Sequence, residues 1–251
     1  MTTAKEELTA AVLSFSLPEE TIHARLQWIY HDILQHSRYI RRASFTAIHP
    51  EDLAFCFEAY DRVFFAGLCR RTLNGRKLTF RLSRRMTRVG GTTTRLRSVT
   101  GEIRFEIAVA IGTLFDGFSE DDRTVTVGGL DCRNRLEAMQ RIFEHELTHL
   151  VEQLCWDKSD CTAERFQDIA ARYFLHRSHT HNLITRKERA AISGIRPGAR
   201  VTFEFGGRRL TGVVNRVTKR ATVLVEDPNG RRYSDGRRYQ TFYVPLADLQ
   251  L

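Results

Sequence analysis

A helical pattern that carries two histidines constrains this chain more than any other feature. The stretch 143-FEHELTHLVEQL-154 lies in a predicted helical block from about residue 132 to 176 and places Glu146 directly after His145, with His149 one turn later. An apolar stripe recurs at helical spacing on the other side of the same segment, through Leu136, Met139, Phe143, Leu147, Leu150 and Leu154. The pattern predicts a long helix that packs on a core by one face and lines a cleft by the other.

The two histidines are typical of a metal site. Residues four apart share one face of a helix, so His145 and His149 can direct ring nitrogens at a single ion. Zinc fits best because it favours imidazole and accepts four ligands. The alternative is an amphipathic helix with polar residues facing solvent, although H-E-x-x-H arises by chance only about once in a hundred chains of this size. We therefore expect a Zn2+ cofactor, with Glu146 as the general base and acid for an attacking water.

A zinc site of this type needs a third protein ligand. Cys161, in a short predicted loop twelve residues after His149, is the preferred candidate because a thiolate binds zinc well. A buried apolar cysteine with no ligand is the alternative. Glu164 is the next candidate, whereas Glu152 is expected to support the site or the helix. The later candidates are His176, His179 and His181, which otherwise form a second polar site or a solvated loop.

The rest of the chain predicts a mixed α+β fold with an added all-β domain. Residues from about 4 to 66 have helical spacing of apolar positions, and residues 77–110 alternate like two or three strands. After Arg196-Pro197-Gly198, short strands are predicted at 201–205, 210–217, 221–225 and 241–244. We expect an N-terminal helical segment (1–48), a domain of helices plus a small antiparallel sheet (49–190) and a small all-β barrel (196–251).

Cysteine usage and hydropathy bear on the compartment. The five cysteines include no C-x-x-C pair, which argues against a disulfide framework or a zinc ribbon, and four of them look like buried apolar residues. The apolar run near the N-terminus is too short and broken for a signal peptide, and no stretch has the length that spans a bilayer. These features predict a cytoplasmic protein without a membrane partner.

The charge balance indicates a polyanionic partner. The chain has a formal charge of +9, and residues 196–251 hold eleven Lys and Arg against five Asp and Glu. Nucleic acid, bound without sequence specificity because no recognition-helix motif is present, is the leading class; a solvated basic surface is the alternative. The candidate contacts are Arg84, Arg85 and Arg88 near the sheet and Arg216, Lys219 and Arg220 on the barrel.

Three tyrosines lie among the basic residues of the last domain. Tyr233, Tyr239 and Tyr243 interleave with arginines, and such rings can stack on unpaired bases. Tyrosines in short strands more often pack on the core, so both interpretations stay open at this point.

Several segments together resemble the SprT-like (Spartan-type) zinc metalloprotease family over about residues 50 to 185. Besides the H-E-x-x-H element, the similar stretches are 59-AYDRVFFAGL-68, 86-MTRVGGTTTR-95, the strand from Gly101 to Ile111, 161-CTAERFQDIAARYF-174 and Thr180-His181. The tail stretch 216-RVTKRATVLV-225 is similar to small KOW- or Tudor-like barrels. The resemblance implies a zincin-like metalloprotease domain, and Cys161-Thr162 stands where the family has the histidine of an "HG" pair as third zinc ligand.

The resemblance also implies a function. Members of the family cleave proteins crosslinked to DNA, so we expect a zinc-dependent endopeptidase that acts on DNA-associated protein substrates. The alternative is a nucleic-acid-associated binding or regulatory protein in which the metal site is structural or vestigial. The carboxylate of Glu146 favours the enzyme, because a purely structural site does not need it.

Overall fold

A computed structural model describes residues 2–118, 124–185, 188, 190–191, 193–218 and 220–251. The chain forms two compact units, Met1–Leu183 and Ile184–Leu251, and each has its own apolar core. Within the described residues, no helix is both long enough and apolar enough to cross a membrane.

Four helices open the first unit. Thr3 starts the first with a capping box in which its side chain accepts from the Glu6 amide, and Pro50 occupies the first turn of the third, after the His49 cap. The helices are α1 (Ala4–Ser14), α2 (Glu19–His36), α3 (Pro50–Phe65) and α4 (Leu68–Leu73). Apolar side chains of all four, such as Leu8 of α1 and Ile29 of α2, lie in the core of the first unit, so the segment 1–48 belongs to that unit.

A three-stranded sheet follows, with the order β1-β3-β2. Its strands are β1 (Leu78–Ser83), β2 (Gly91–Arg97) and β3 (Ile103–Ala110). The prediction of an antiparallel sheet is wrong for one pair: β2 and β3 are antiparallel, but β1 and β3 are parallel. The reason is that β2 does not pair with β1: the link 84–90 leads to a strand at the opposite edge of the sheet, and β3 then fills the central position between β1 and β2. Alternation within a strand does not show which neighbour it pairs with.

The helix with the two histidines lies against this sheet. After α5 (Ile111–Gly117) and the short pair β4 (Val125–Val127) and β5 (Leu130–Cys132), the chain forms α6 (Arg135–Trp156) and α7 (Glu164–Phe174). The Asn134 side chain accepts from the Glu137 amide to cap α6, and Asp157 ends it in the left-handed region. All six residues of the predicted apolar stripe are buried, which confirms the orientation predicted for this helix.

The second unit is a half-barrel of four antiparallel strands. They pair in chain order as β6 (Arg200–Phe205), β7 (Arg208–Val217), β8 (Arg220–Arg232) and β9 (Arg238–Pro245). A two-way backbone bridge between Thr202 and Gln250 adds the C-terminal residues to the free edge of β6. Strand β8 extends well beyond the predicted segment 221–225: it includes Pro228-Asn229-Gly230, residues typical of a turn, and its pairing with β9 shifts between Glu226 and Arg231. A bulge holds the extra residues there without ending the strand.

Candidate metal centre

The two histidines share one partly exposed stripe of α6. Arg141, His145, His149 and Gln153 follow one another at intervals of four residues, and each is half-buried while all the residues between them are buried. One helical face therefore presents both imidazoles to a cleft and leaves the rest of the helix in the core.

Three ligand atoms converge at this face. His145, His149 and Cys161 offer one nitrogen or sulfur each, and these atoms all lie within 4.8 Å of one another. The two Nε2 atoms are 3.2 Å apart. Two nitrogens bound to one tetrahedral zinc ion, each at about 2.05 Å, would lie about 3.3 Å apart, so the histidine pair has the separation that a shared ion requires.

Hydrogen bonds assign the tautomer of His149. Ser159 Oγ donates its single proton to Glu152 Oε2 at 2.5 Å. The serine oxygen must therefore accept from His149 Nδ1, which lies 2.7 Å away. The proton on Nδ1 leaves the lone pair of His149 on Nε2, where it faces His145. Arg165 Nε holds the second oxygen of Glu152 at 2.6 Å. This chain of contacts fixes the His149 ring as outer ligand partners do in metal sites.

Burial favours the neutral form of both imidazoles. Burial lowers the pKa of His145 to about 3, with His149 and the other cleft histidines adding to the shift. Burial also lowers the pKa of His149, although Glu152 and Asp160 oppose the shift. Neutral imidazole is the form that binds a metal. The donor set of two imidazoles and a thiol fits zinc, which binds nitrogen and sulfur ligands in four-coordinate sites.

Cys161 differs from the other cysteines of the chain. It lies in the loop between α6 and α7 and is half-exposed, whereas Cys56, Cys69, Cys132 and Cys155 are buried free thiols, as predicted. Burial raises the pKa of Cys161, and the carboxylate of the adjacent Asp160 adds to the effect. A cation at the site would reverse this balance, because a coordinating thiol is deprotonated by the ion it binds.

The remaining ligand candidates lie elsewhere. Glu164 is exposed at the start of α7 and is not part of the converging group. His176 is buried, and its Nε2 contacts Glu144 Oε2 at 2.9 Å. His179 and His181 line the cleft but do not join the three ligand atoms. The structure thus brings together the two histidines and Cys161 among the predicted ligands.

Glu146 lies beside the histidine pair in a confined position. It is 3% exposed, and its Oε2 accepts from Thr93 Oγ1 at 2.9 Å. A methyl group added to Gly91 would come within 2.7 Å of both Cγ and Oε1 of Glu146, so the β2 backbone packs directly on the carboxylate. Burial raises the pKa of Glu146 to about 8, against a smaller opposing effect of the Thr93 hydrogen bond. The sequence pattern identified Glu146 but not Thr93 or Gly91 as its neighbours.

An open cleft of about 560 Å3 gives access to these groups. The edge strand β2 and the preceding residues form one wall, and the segment from His179 to His181 forms another. His181 is held in place because its neighbour Asn182 exchanges hydrogen bonds with Thr126 of β4, 2.7 and 3.0 Å long. Both walls therefore rest on regular structure.

A buried polar cluster lies next to the chain segment that leads into the His179–His181 wall of the cleft. Glu144 lies in the core and accepts from Tyr60 at 2.6 Å, from Arg141 at 2.9 Å and from His176 at 2.9 Å. Burial acts to raise the pKa of Glu144, but the Arg141 guanidinium and the two other hydrogen bonds outweigh it and leave the pKa below its ordinary value. The charged cluster links α3, α6 and the segment that follows α7, and no periodicity of the sequence indicated it.

The candidate nucleic-acid contacts divide between the two units. Arg84, Arg85 and Arg88 are exposed in the link between β1 and β2, and Arg88 also lines the cleft. Arg216 and Arg220 are exposed on the half-barrel. The sixth predicted contact, Lys219, lies outside the described residues. None of the five described arginines makes an ion pair with another described residue, so their charges are available to a polyanion.

Comparison of the chain with protein-family models, with curated proteins and with solved structures finds no match. The function is therefore inferred from the residues and the geometry of the site.

Proposed function

We propose that this protein is a zinc-dependent endopeptidase of the SprT-like type that acts on DNA-associated proteins. The observation that carries the proposal is the convergence of His145, His149 and Cys161 beside the buried carboxylate of Glu146 in an open cleft. A structural zinc site has four protein ligands, whereas a catalytic site has three and leaves one position open. Three converging ligands in a cleft fit the second kind.

Each residue of the centre has a task in peptide hydrolysis. His145, His149 and Cys161 would hold the ion, which supplies Lewis acidity for the carbonyl and the attacking water. Glu146 takes the proton of the water during attack and delivers it to the amine of the leaving peptide. The burial that raises the pKa of Glu146 makes its carboxylate a stronger base, and the Thr93 hydrogen bond holds it in place.

The proposed partner follows from charge and access. The net charge of +9 and the unpaired arginines beside the cleft attract phosphate chains, which would concentrate the enzyme on DNA-bound protein substrates. The cleft, of about 560 Å3, is open to solvent along β2 and the segment from His179 to His181, which fits the entry of a polypeptide segment. Thiols stay reduced in the cytosol, so the five free cysteines, Cys161 among them, support the cytoplasmic location that the proposal includes.

The test is a comparison of Glu146→Gln with the wild type and with a matched control, Glu20→Gln, which changes an exposed glutamate of α2 away from the cleft. Zinc content is measured by mass spectrometry of the untreated protein, and proteolysis by self-cleavage and by cleavage of a denatured protein with and without DNA. We expect Glu146→Gln to keep zinc and lose cleavage by at least a hundredfold, and Glu20→Gln to behave as wild type. Cleavage by Glu146→Gln at the wild-type rate would contradict the proposal.

A second candidate is a nucleic-acid-associated binding or regulatory protein with a structural or vestigial metal site. The observation that favours it is the thiol of Cys161 where the resembling family has an imidazole. In that case wild type and Glu146→Gln would bind zinc and DNA equally and neither would cleave protein.

A further inference from the structure

The outer face of the half-barrel holds an aromatic and basic surface that the metal centre does not use. The inner face is the apolar core of the second unit, formed by alternate residues such as Val223 of β8 and Phe242 of β9. The residues between them point outward, and direct strand pairing places Tyr243, Thr222 and Arg216 in one row across β9, β8 and β7.

The next row of the same face is neutral or apolar and ends in a cation. Pairing aligns Thr241, Leu224, Val213 and Arg200 across the four strands. Val213 is 38% exposed, a large fraction for an apolar strand residue. Leu224 is only 9% exposed, so the accessible residues of the two rows are a tyrosine, two threonines, a valine and two arginines, which we call the outer sheet face (Arg200, Val213, Arg216, Thr222, Thr241 and Tyr243).

A β-bulge increases the positive charge of this face. The pairing of β7 with β8 shifts between Val214 and Arg216, while Val214 and Val217 both remain buried. The bulge therefore turns Asn215 and Arg216 outward together. Arg220 follows at the same end of the face, and none of Arg200, Arg216 and Arg220 pairs with an anion among the described residues.

The carboxylates of the face lie away from this end. Glu226 is bound by Arg237, and Glu204 lies opposite Arg209 in the pairing of β6 with β7. The end that holds Tyr243, Arg216 and Arg220 carries more cations than carboxylates, since the exposed carboxylate that follows β9 there is that of Asp248, and this excess fits an anionic occupant.

The tyrosines of the unit differ in their availability. Tyr233 and Tyr239 are half-buried and pack edge to face at 5.4 Å, and their hydroxyls are engaged by Thr241 at 3.0 Å and Asp235 at 2.6 Å. Tyr243 is 69% exposed and its hydroxyl has no partner among the described residues. Of the three, only Tyr243 offers a free ring on the sheet.

We propose that the outer sheet face binds single-stranded nucleic acid, with a base stacked on Tyr243 and phosphates held by Arg200, Arg216 and Arg220. A duplex hides the faces of its bases and could use only the arginines, whereas an unpaired base can stack on an exposed ring. The inference rests on the nucleic-acid part of the proposed function but not on the metal centre. The inference adds that the nucleic acid is single-stranded and that Tyr243 distinguishes a single strand from a duplex.

The experiment measures binding of the full chain, in a chelating buffer, to fluorescein-labelled dT20, rU20 and a 20-base-pair duplex by anisotropy. We expect Tyr243→Ser to weaken binding of the single strands about tenfold and of the duplex less than twofold. Tyr243→Phe keeps the ring and should bind as wild type. Arg216→Gln should weaken all probes and reduce the slope of log affinity against log salt by about one. Trp28→Ser, which removes an exposed ring of the first unit, is the matched control.

Photocrosslinking of a 5-iodouridine strand to the wild type, with the site mapped by mass spectrometry, does not depend on any variant. A crosslink at Tyr243 supports the proposal, and tighter binding of dT20 than rU20, or the reverse, assigns the partner as DNA or RNA. The proposal would be overturned if Tyr243→Ser weakened duplex and single-strand binding equally. It would also be overturned if the wild type were a dimer that Tyr243→Ser dissociates, because Tyr243 would then lie in a protein interface. If the wild type binds none of the probes, the nucleic-acid part of the proposed function fails as well, whereas the protease part stands.

Discussion

Ser159 shows how a single uncharged residue can decide the chemistry of a ligand. Its hydroxyl donates to Glu152 and accepts from Nδ1 of His149, so the lone pair of His149 lies on the nitrogen that faces His145. An imidazole without this partner could rotate and adopt either tautomer. Ion binding would then have to order the ring, and this would weaken the affinity for the ion.

Ser159→Ala is expected to lower zinc affinity about 10- to 100-fold, the usual effect of losing an outer partner of a histidine ligand. The measurement is competition for zinc with a fluorescent chelator. Ser98→Ala, at the tip of the β2–β3 hairpin, is the control. Unchanged affinity in Ser159→Ala would show that the hydrogen bond does not orient the ring.

Cys161→Ala tests the third ligand directly. The thiol is one of three converging donors, so its removal should reduce the zinc content of the purified protein to well below one ion per chain. Cys132→Ala, which changes a buried cysteine away from the cleft, should keep full occupancy. Stoichiometric zinc in Cys161→Ala would transfer the ligand role to Glu164 or to a later histidine.

The carboxyl of Glu146 predicts how pH affects the metal-free protein. Its pKa is raised to about 8 in the folded state, so folding favours the protonated form. The contribution of Glu146 to stability is therefore present below its ordinary pKa, near 4.5, and is lost as pH rises through 8. Metal-free Glu146→Gln should be more stable than wild type at pH 8.5, by on the order of 3 kcal/mol, and not at pH 4. Urea unfolding at both pH values measures this, and equal differences at the two pH values would contradict it.

At the scale of the elements, contact between strand β2 and helix α6 places the carboxylate of Glu146. Thr93 donates one bifurcated hydrogen bond to the backbone and side chain of Glu146, and Gln153 Nε2 donates to the Thr93 carbonyl at 3.3 Å. The strand can approach this closely because Gly91 has no side chain.

Gly91→Ala is expected to separate β2 from α6. The new methyl group would lie 2.7 Å from Glu146 and 2.9 Å from the Ala108 carbonyl, and the second of these neighbours is backbone that cannot rotate away. We expect a loss of unfolding free energy of about 1–3 kcal/mol and a lower kcat with little change in zinc content. Thermal and urea unfolding beside zinc analysis measure the effect. A variant with wild-type stability and kcat would show that the interface has room to adjust.

At the scale of the whole molecule, each of the two compact units has its own apolar core. The candidate metal centre lies entirely within Met1–Leu183, and so do both tryptophans, Trp28 and Trp156. Because a ligand that binds only the native state stabilises the unit that holds its site, zinc should act on the first unit.

Removal of zinc should lower the unfolding temperature of the first unit, on the order of 10 °C if the free ion was about a thousandfold above its dissociation constant. Tryptophan fluorescence follows this transition alone, and calorimetry follows both. The second transition should not move. An equal shift of both transitions on adding a chelator would show that the units unfold as one.

The sequence by itself determined the elements and the chemistry that follow from local spacing. The position of α6, its apolar stripe, the histidine pair, the four buried cysteines and the all-β character of the tail were predictable, because helices and strands have fixed periods that amphipathic patterns follow. Cys161 as a candidate ligand also came from the sequence, although Glu164 and the later histidines remained alternatives there.

Only the tertiary structure decided which distant residues meet. The parallel pairing of β1 with β3, the Ser159–Glu152 contact behind His149, the packing of Gly91 on Glu146 and the exposure of Tyr243 all join or expose residues that local periodicity does not relate. The physical reason is that a period describes the direction of a side chain within its own element, whereas strand order, bulges and close backbone approaches depend on how elements pack across the chain.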